Sequence, residues 1–513
     1  MIAFSNKDYF KLYIWRLASI LSGFLSMFVV VPHISRNQEL FGIYSFIMSL
    51  ALYLTYADLG FLSAGQKYAA EAFAVGDKNG EYRILGFMIF LIIIMSIPFT
   101  VLMLYLSYNP NIIIAKLTYE GTEIASNLFL ILALLLPFQV IMQRIVQFIL
   151  TIRLNDHLYL RIDLIANVVK ILSVYYFFRT EYRVVEFVTF GILITILSQI
   201  IILASFAIGH QYNIFSVFKA IKFSRETFDG VKKLAVSSLL MTFAWILYYE
   251  LDLVLIGRWL GASQVAIYAV SFTFLNFMRT LWNALYSPFA HRFNHLVAAK
   301  MNVQTGYLLQ RLMENTFLPT LVVTMVLIIA SEAIVFAWVG HNYTQSVSIL
   351  RLLLIGSLTV AIIKPAGYYF TAHTTYSFIH VNAIITPIIF IVFLIVFVPY
   401  YELLGFALAK AVAIFASTLV TISYIRGIFN PINLLKIWYK EIILLLILMY
   451  PLVKLFATIE VNILNKGVTE LLLVLLIVCL CILTLTLILF VLSKRFRELI
   501  YEVIGRKGVI NSR

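Results

Sequence analysis

Long apolar runs separated by short polar turns set the pattern of this chain. A helix that crosses a bilayer needs about 20 mostly apolar residues. Runs of that kind fall at 10–32, 39–64, 83–107, 123–150, 157–178, 184–208, 233–257, 263–289, 306–338, 346–372, 376–398, 403–426, 437–458 and 468–493. The pattern predicts about fourteen spanning helices. The run 306–338 is longer than one bilayer requires, so it tilts or extends into water. Strands of a membrane β-barrel alternate lipid-facing and lumen-facing residues, and unbroken apolar runs exclude that architecture. The longest hydrophilic stretch, Gly209 to Lys233, is too short to fold as a soluble domain. The first run follows Lys7 and Lys11, is longer than a signal-peptide core and meets no small-residue cleavage site. It is expected to stay as the first helix.

Composition agrees and adds a question. Of 513 residues, 62% are hydrophobic and 12% charged, with a mean hydropathy of +0.98. Soluble chains carry about a quarter charged residues. The expected class is therefore an all-α, polytopic integral membrane protein. The net charge is +14, from 38 Lys and Arg against 24 Asp and Glu. Most of it sorts by side. With the N-terminus inside, only Arg36, Lys116, Arg179, Arg183, Arg258 and Lys466 fall in outside segments, and the inside segments hold most of the remainder. Cytoplasmic loops carry an excess of Lys and Arg. Both termini are thus expected in the cytoplasm. The two cysteines, Cys479 and Cys481, lie on different faces of one helix and suit neither a disulfide nor a metal.

An offset of 224 residues aligns two halves. Gly42-Ile43-Tyr44-Ser45 meets Ala266-Ile267-Tyr268-Ala269, and Lys67…Glu71…Ala74 meets His291…His295…Ala298. The expected organisation is an N-lobe at 1–208 (spans 1–6), a cytoplasmic linker at 209–232 and a C-lobe at 233–427 (spans 7–12). Residues 428–513 hold spans 13–14 and a basic tail. Parallel repeats with a site at their interface are a transporter pattern.

Polar residues inside spans are the candidate chemistry, because an ionisable group at bilayer depth usually faces a cavity or a partner. Asn276, Arg279 and Asn283 share one face of span 8, with Thr273 a turn earlier. Gln139, Gln143 and Gln147 line a face of span 4 beside Arg144. Asp163, Asn167 and Lys170 line span 5; Arg16 shares a face of span 1 with Ser19, Gly23 and Ser26. In span 7, Thr242, Trp245, Tyr249 and Asp252 align, and Lys364 adjoins Pro365 in span 10. Arg279, Asn276, Asn283, Lys364, Lys170, Arg144, Gln143, Gln147 and Arg16 are the candidate cavity residues. Amides, hydroxyls and rings suit sugars; Arg and Lys suit phosphate. The competing reading is interhelical hydrogen bonding alone. Asp58 and Asp252 read as cap or interface residues, Glu250 as a partner for a cation on a neighbouring span, Lys410 and Lys454 as edge residues, and His291 and His295 as surface residues. No phosphate-binding loop, zinc-protease motif, nucleophile elbow or dinucleotide fingerprint occurs. A transporter without its own ATP motor is expected to use a proton or sodium gradient, with Asp163 or Glu250 as carriers. No cofactor, metal or nucleic acid is expected.

The stretch Pro32-His33-Ile34-Ser35-Arg36…Leu40-Phe41-Gly42-Ile43-Tyr44, then Ala57-Asp58-Leu59-Gly60-Phe61 and Lys67-Tyr68-Ala69-Ala70-Glu71, resembles the N-terminal pattern of polysaccharide flippases. These belong to the multidrug/oligosaccharidyl-lipid/polysaccharide (MOP) exporter superfamily. Leu251-Asp252-Leu253-Val254-Leu255-Ile256-Gly257-Arg258-Trp259-Leu260-Gly261, followed by Val265-Ala266-Ile267-Tyr268, is similar to the family's segment joining spans 7 and 8, and Pro288 fits as well. The resemblance implies an alternating-access flippase of a bacterial inner membrane, not an enzyme. It would move an undecaprenyl-pyrophosphate-linked oligosaccharide such as an O-antigen unit. Lipid-linked oligosaccharide, membrane lipids and other polysaccharide assembly proteins are the implied partners. Spans 13 and 14 would offer a groove for the polyprenyl tail. A multidrug exporter of the same fold and a membrane glycan polymerase are the alternatives.

Overall fold

The computed structural model describes residues 6–56, 61–153, 155–210, 213–463 and 466–497. Apolar side chains dominate, so backbone polar groups must be satisfied within each segment, and helices do this. The first helices are α1 (Asn6–Ile34), α2 (Gln38–Thr55), α3 (Phe61–Ala74), α4 (Lys78–Tyr108), α5 (Tyr119–Ile152), α6 (Asp156–Phe177), α7 (Val184–His210) and α8 (Ile214–Lys219). Then come α9 (Arg225–Trp245), α10 (Leu251–Trp259), α11 (Ala262–Ala298), α12 (Asn302–Val339), α13 (Thr344–Ser357), α14 (Val360–Ala372), α15 (Tyr376–Ile425), α16 (Ile432–Asn462) and α17 (Val468–Leu492). The described residues of the predicted spans lie mostly on these helices, with breaks inside some of them. Nine helices are long and apolar enough to cross a membrane among the described residues, and α13 with α14, bent by 48°, makes a tenth. The chain is a multi-pass, all-helical membrane protein. Asp58 and the end of the basic tail lie outside the described residues.

Helix ends repeat at the offset read from the sequence. Gln38 and Ala262 both open helices, as do Lys78 and Asn302; Ala74 and Ala298 both close them. The chain divides into two compact units, Met1–Ala269 and Val270–Arg513, the boundary falling inside α11.

In the first unit, α4, α5 and α7 pack together and α1 runs along α6. At one end of this bundle a buried cluster joins α3, α4, α5, α7, α8 and α9 through residues such as Ala69, Phe87, Phe148, Phe206, Val217 and Val231. A buried ion pair sits there. Glu81 Oε1 and Oε2 accept from Arg153 at 2.6 and 2.8 Å, and the guanidinium lies over Phe73 and Phe206. At the other end, the Tyr182 hydroxyl donates to the carbonyls of His33 and Ile34, at 2.7 and 2.8 Å, and accepts from the Asn37 amide. One phenol thus serves the end of α1 and the turn into α2, where helix termini leave backbone groups unpaired. Burial pushes the Tyr182 hydroxyl pKa up. Gly42 of α2 is where close approach demands glycine: a Cβ there would lie 1.8 Å from the Ala262 carbonyl oxygen.

In the second unit, α12 packs against α13, α14, α16 and α17. The helix α15 has 50 residues, about 75 Å at 1.5 Å per residue, far more than a bilayer core of about 30 Å. It turns back on itself instead. Glu402 has φ 46° and ψ −118°, three residues after Pro399. A Cβ on Gly405 would lie 2.8 Å from the Val398 backbone. Asn382 accepts from Ser417 Oγ at 2.9 Å and donates to Thr421 Oγ1 at 3.4 Å, contacts possible only between antiparallel arms. The break falls between the two spans read at 376–398 and 403–426. The α17 helix leaves Leu472, Leu476, Leu480, Leu483 and Leu487 exposed. Such a stripe suits lipid and would be a liability in water.

Candidate functional site

The candidate residues fall into separate groups, taken unit by unit. In the first unit, α5 presents Gln143, Arg144 and Gln147, and α6 presents Asp163, Asn167 and Lys170. Gln143 and Gln147 both donate to the Tyr159 hydroxyl of α6, at 3.1 and 3.3 Å. Arg144 donates to Gln147 Oε1 at 3.4 Å and to the Thr55 carbonyl at 2.5 Å. That carbonyl belongs to the last residue of α2, where the helix dipole favours a cation. Asn167 donates to Asp163 Oδ2 at 3.1 Å, and Asp163 and Lys170 attract one another electrostatically. The amide stripe of span 4 and the charged stripe of span 5 therefore meet, with Tyr159 as the joint. Tyr159 escaped the sequence reading, although it extends the Asp163–Asn167 face by one more turn. Arg16 of α1 is exposed, and its neighbour Trp15 receives the Arg161 guanidinium at 5.9 Å from the ring centre.

The span-7 stripe is interrupted. Residues Ile246–Glu250 form one π-helical turn between α9 and α10. The wider turn shifts the register, so Tyr248 and Glu250 turn inward while Tyr249 is only half-buried. The Glu250 carbonyl accepts from Tyr53 of α2 at 3.0 Å. Asp252 is fully buried and accepts a hydrogen bond from the Tyr268 hydroxyl. π turns recur at functional sites. Hydropathy alone carries no signal for one.

In the second unit, α11 and α14 bring together the remaining candidates. Arg279 donates to Asn276 Oδ1 at 2.7 Å, and Lys364 of α14 donates to Asn283 Oδ1 at 2.5 Å. Arg279 and Lys364 are near enough to repel one another. One to two turns further along α14, Tyr369 lies against His373 at 4.2 Å between ring centres, the rings tilted by 31°, and meets Phe293 of α11 edge-on. The site is thus two cations, two amides and an aromatic platform on two helices.

Lys410 corrects an expectation. It is not an edge residue but has no exposed surface, with its ammonium 4.9 Å from the Phe272 ring centre and 5.6 Å from that of Phe390. The hairpin in α15 places it well inside the second arm, and aromatic faces attract a cation there. His291 and His295 are exposed, as read, and Lys454 is exposed too. Among the described residues no group of three or more His, Cys, Asp or Glu is placed to hold a metal ion.

The chain is similar to the lipid II flippase MurJ in an inward closed conformation, with a TM-score of 0.67 and 18% identity over 96% of this chain and 100% of that one. It is also similar to an inward-facing multidrug-resistance MATE transporter of the MOP superfamily, with a TM-score of 0.57 and 15% identity over 81% of this chain and 95% of the other. A MOP-superfamily transporter from Pyrococcus furiosus aligns at 0.50 and 14% identity, over 82% and 96%. No family model and no curated protein sequence matches the chain. The chain therefore shares its fold with these proteins, which are a flippase and transporters rather than enzymes.

Proposed function

We propose that the chain is a flippase for a lipid-linked oligosaccharide, moving an undecaprenyl-pyrophosphate-linked repeat unit of O-antigen type across a bacterial inner membrane. The observation that carries this is the pair Arg279 and Lys364, two like charges each held by an amide oxygen on adjacent helices. Like charges disfavour one another, and a diphosphate between them turns that repulsion into two charge-assisted hydrogen bonds. The neighbouring Asn283 and Tyr369 supply an amide and a ring face for sugars. Likeness to the lipid II flippase over nearly the whole chain supports the reading.

In this reading, α2–α3, α6, α9–α10 and the second arm of α15 complete fourteen spans. Both termini lie in the cytoplasm. The lobes 1–208 and 233–427 work by alternating access, and other polysaccharide assembly proteins receive the substrate. A proton or sodium gradient drives the cycle through Asp163 or Glu250, without a cofactor. Asp163→Asn is expected to reduce gradient-dependent flipping in vesicles; full activity removes Asp163 from this role. The decisive experiment is deletion of the gene followed by mass analysis of lipid-linked glycans. Surface polysaccharide should disappear while lipid-linked units accumulate inside. Normal polymer in a strain without a redundant flippase overturns the proposal. A drug exporter is the second reading, favoured by likeness to the MATE transporter; changed drug tolerance with unchanged surface glycans selects it.

A further inference from the structure

The segment that links α7 to α9 has a chemistry of its own. Between Asn213 and Arg225 it carries Lys219, Lys222 and Arg225 and no carboxylate. Phe215, Phe218 and Phe223 lie between and beside those cations and are exposed by 67%, 50% and 53%. The arrangement is rigid rather than loose. Val217 is buried in the cluster at the end of the first unit, and a Cβ on Gly86 of α4 would lie 2.1 Å from the Ala220 carbonyl oxygen. Phe223 meets the rings of Phe87, Phe90 and Phe228. The Lys219 ammonium sits 4.8 Å from the Phe215 ring centre, one helical turn away. The next carboxylates are engaged in turn: Glu226 by Arg83 at 2.8 Å, and Asp229 by Lys232 at 2.6 Å, with Arg225 attracting Asp229 as well.

One side of this segment is therefore bolted to the bundle, and the other shows aromatic rings interleaved with cations. Helices that lie in the membrane interface have this composition, with rings at the acyl boundary and Lys or Arg at the headgroups. Phenylalanine with this much exposure would otherwise face water. We propose that α8 and the turn after it form a binding surface for anionic phospholipid headgroups, with Phe215 and Phe218 seated in the acyl boundary and Lys219, Lys222 and Arg225 on the phosphates. The side of the membrane follows from the orientation proposed above; the lipid chemistry does not depend on it, or on the transported substrate.

The test uses the full chain with Cys479→Ser and Cys481→Ser and a nitroxide on Phe218→Cys, in nanodiscs of phosphatidylglycerol or of phosphatidylcholine. The label should be more accessible to oxygen than to an aqueous nickel chelate. In mixed nanodiscs, native mass spectrometry should find phosphatidylglycerol retained in preference to phosphatidylcholine. Lys219→Gln with Lys222→Gln should lower that preference by about fivefold per cation removed, with helix content by circular dichroism unchanged. An unlabelled Phe218→Trp chain, read by brominated-lipid quenching, repeats the depth measurement should the cysteine variant not fold. A label reached by the nickel chelate as readily as by oxygen overturns the proposal, as does equal lipid retention before and after the Gln substitutions. Inorganic phosphate that abolishes the phosphatidylglycerol preference at millimolar concentration would identify a free-anion site instead. A label that is water-accessible in nanodiscs but shielded in cell membranes would identify a protein partner, and that too overturns it.

Discussion

Two ion pairs near the same end of the first unit are expected to differ in worth. Arg153–Glu81 is enclosed, with side chains 12% and 2% exposed; Arg83–Glu226 is open, at 45% and 72%. The shortest contacts are alike, 2.6 and 2.8 Å, so distance does not separate them. Solvation does. Glu81→Ala leaves the Arg153 guanidinium charged between Phe73 and Phe206 without its carboxylate. Breaking a buried pair from one side costs about 3–5 kcal/mol. Glu226→Ala removes a pair that water and salt already screen, for about 0–1 kcal/mol. Replacing both buried partners, Glu81→Met with Arg153→Met, removes the uncompensated charge and should recover most of the loss, because an apolar pair of similar volume is often neutral. Thermal unfolding of the purified variants in one detergent, followed by circular dichroism, measures all of these. Equal destabilisation by Glu81→Ala and Glu226→Ala would refute the reasoning. So would a double variant no more stable than Glu81→Ala.

Arg279→Ala and Lys364→Ala should each impair transport at unchanged membrane abundance, measured as polysaccharide export at matched expression; normal export would make the pair structural. Gly42→Ala places a methyl against the Ala262 carbonyl oxygen, so it should destabilise the protein by about 1–3 kcal/mol, read as a lower unfolding temperature. Tyr182→Phe removes the hydroxyl that serves the end of α1 and the start of α2, and should cost about 1–2 kcal/mol. Because burial raises the Tyr182 pKa, its stabilisation is complete below about pH 10, the unfolded value, and fades as pH rises through the higher folded value. Unfolding temperatures of wild type and Tyr182→Phe should therefore converge at alkaline pH; a constant gap would contradict the assignment.

The sequence by itself determined the membrane class, the positions of the apolar segments and the 224-residue repeat, because hydrophobic length and helix punctuation are local properties. The helix starts at Gln38 and Ala262, and at Lys78 and Asn302, carry the repeat into the fold. Periodicity also found the polar stripes, since residues four apart share a helix face. It did not say which stripes meet. That Gln143 and Gln147 converge on Tyr159, or that Lys364 reaches Asn283, depends on which helix lies beside which, and lipid-exposed and buried apolar faces look alike in composition. Lys410 makes the same point: one lysine in an apolar run has the same signature at a membrane edge as between two rings, and only the hairpin in α15 decides. Glu81 and Arg153 lie 72 residues apart in segments that read as ordinary polar turns. Tertiary packing alone removed water from around them, and with it the screening that makes most surface charges interchangeable.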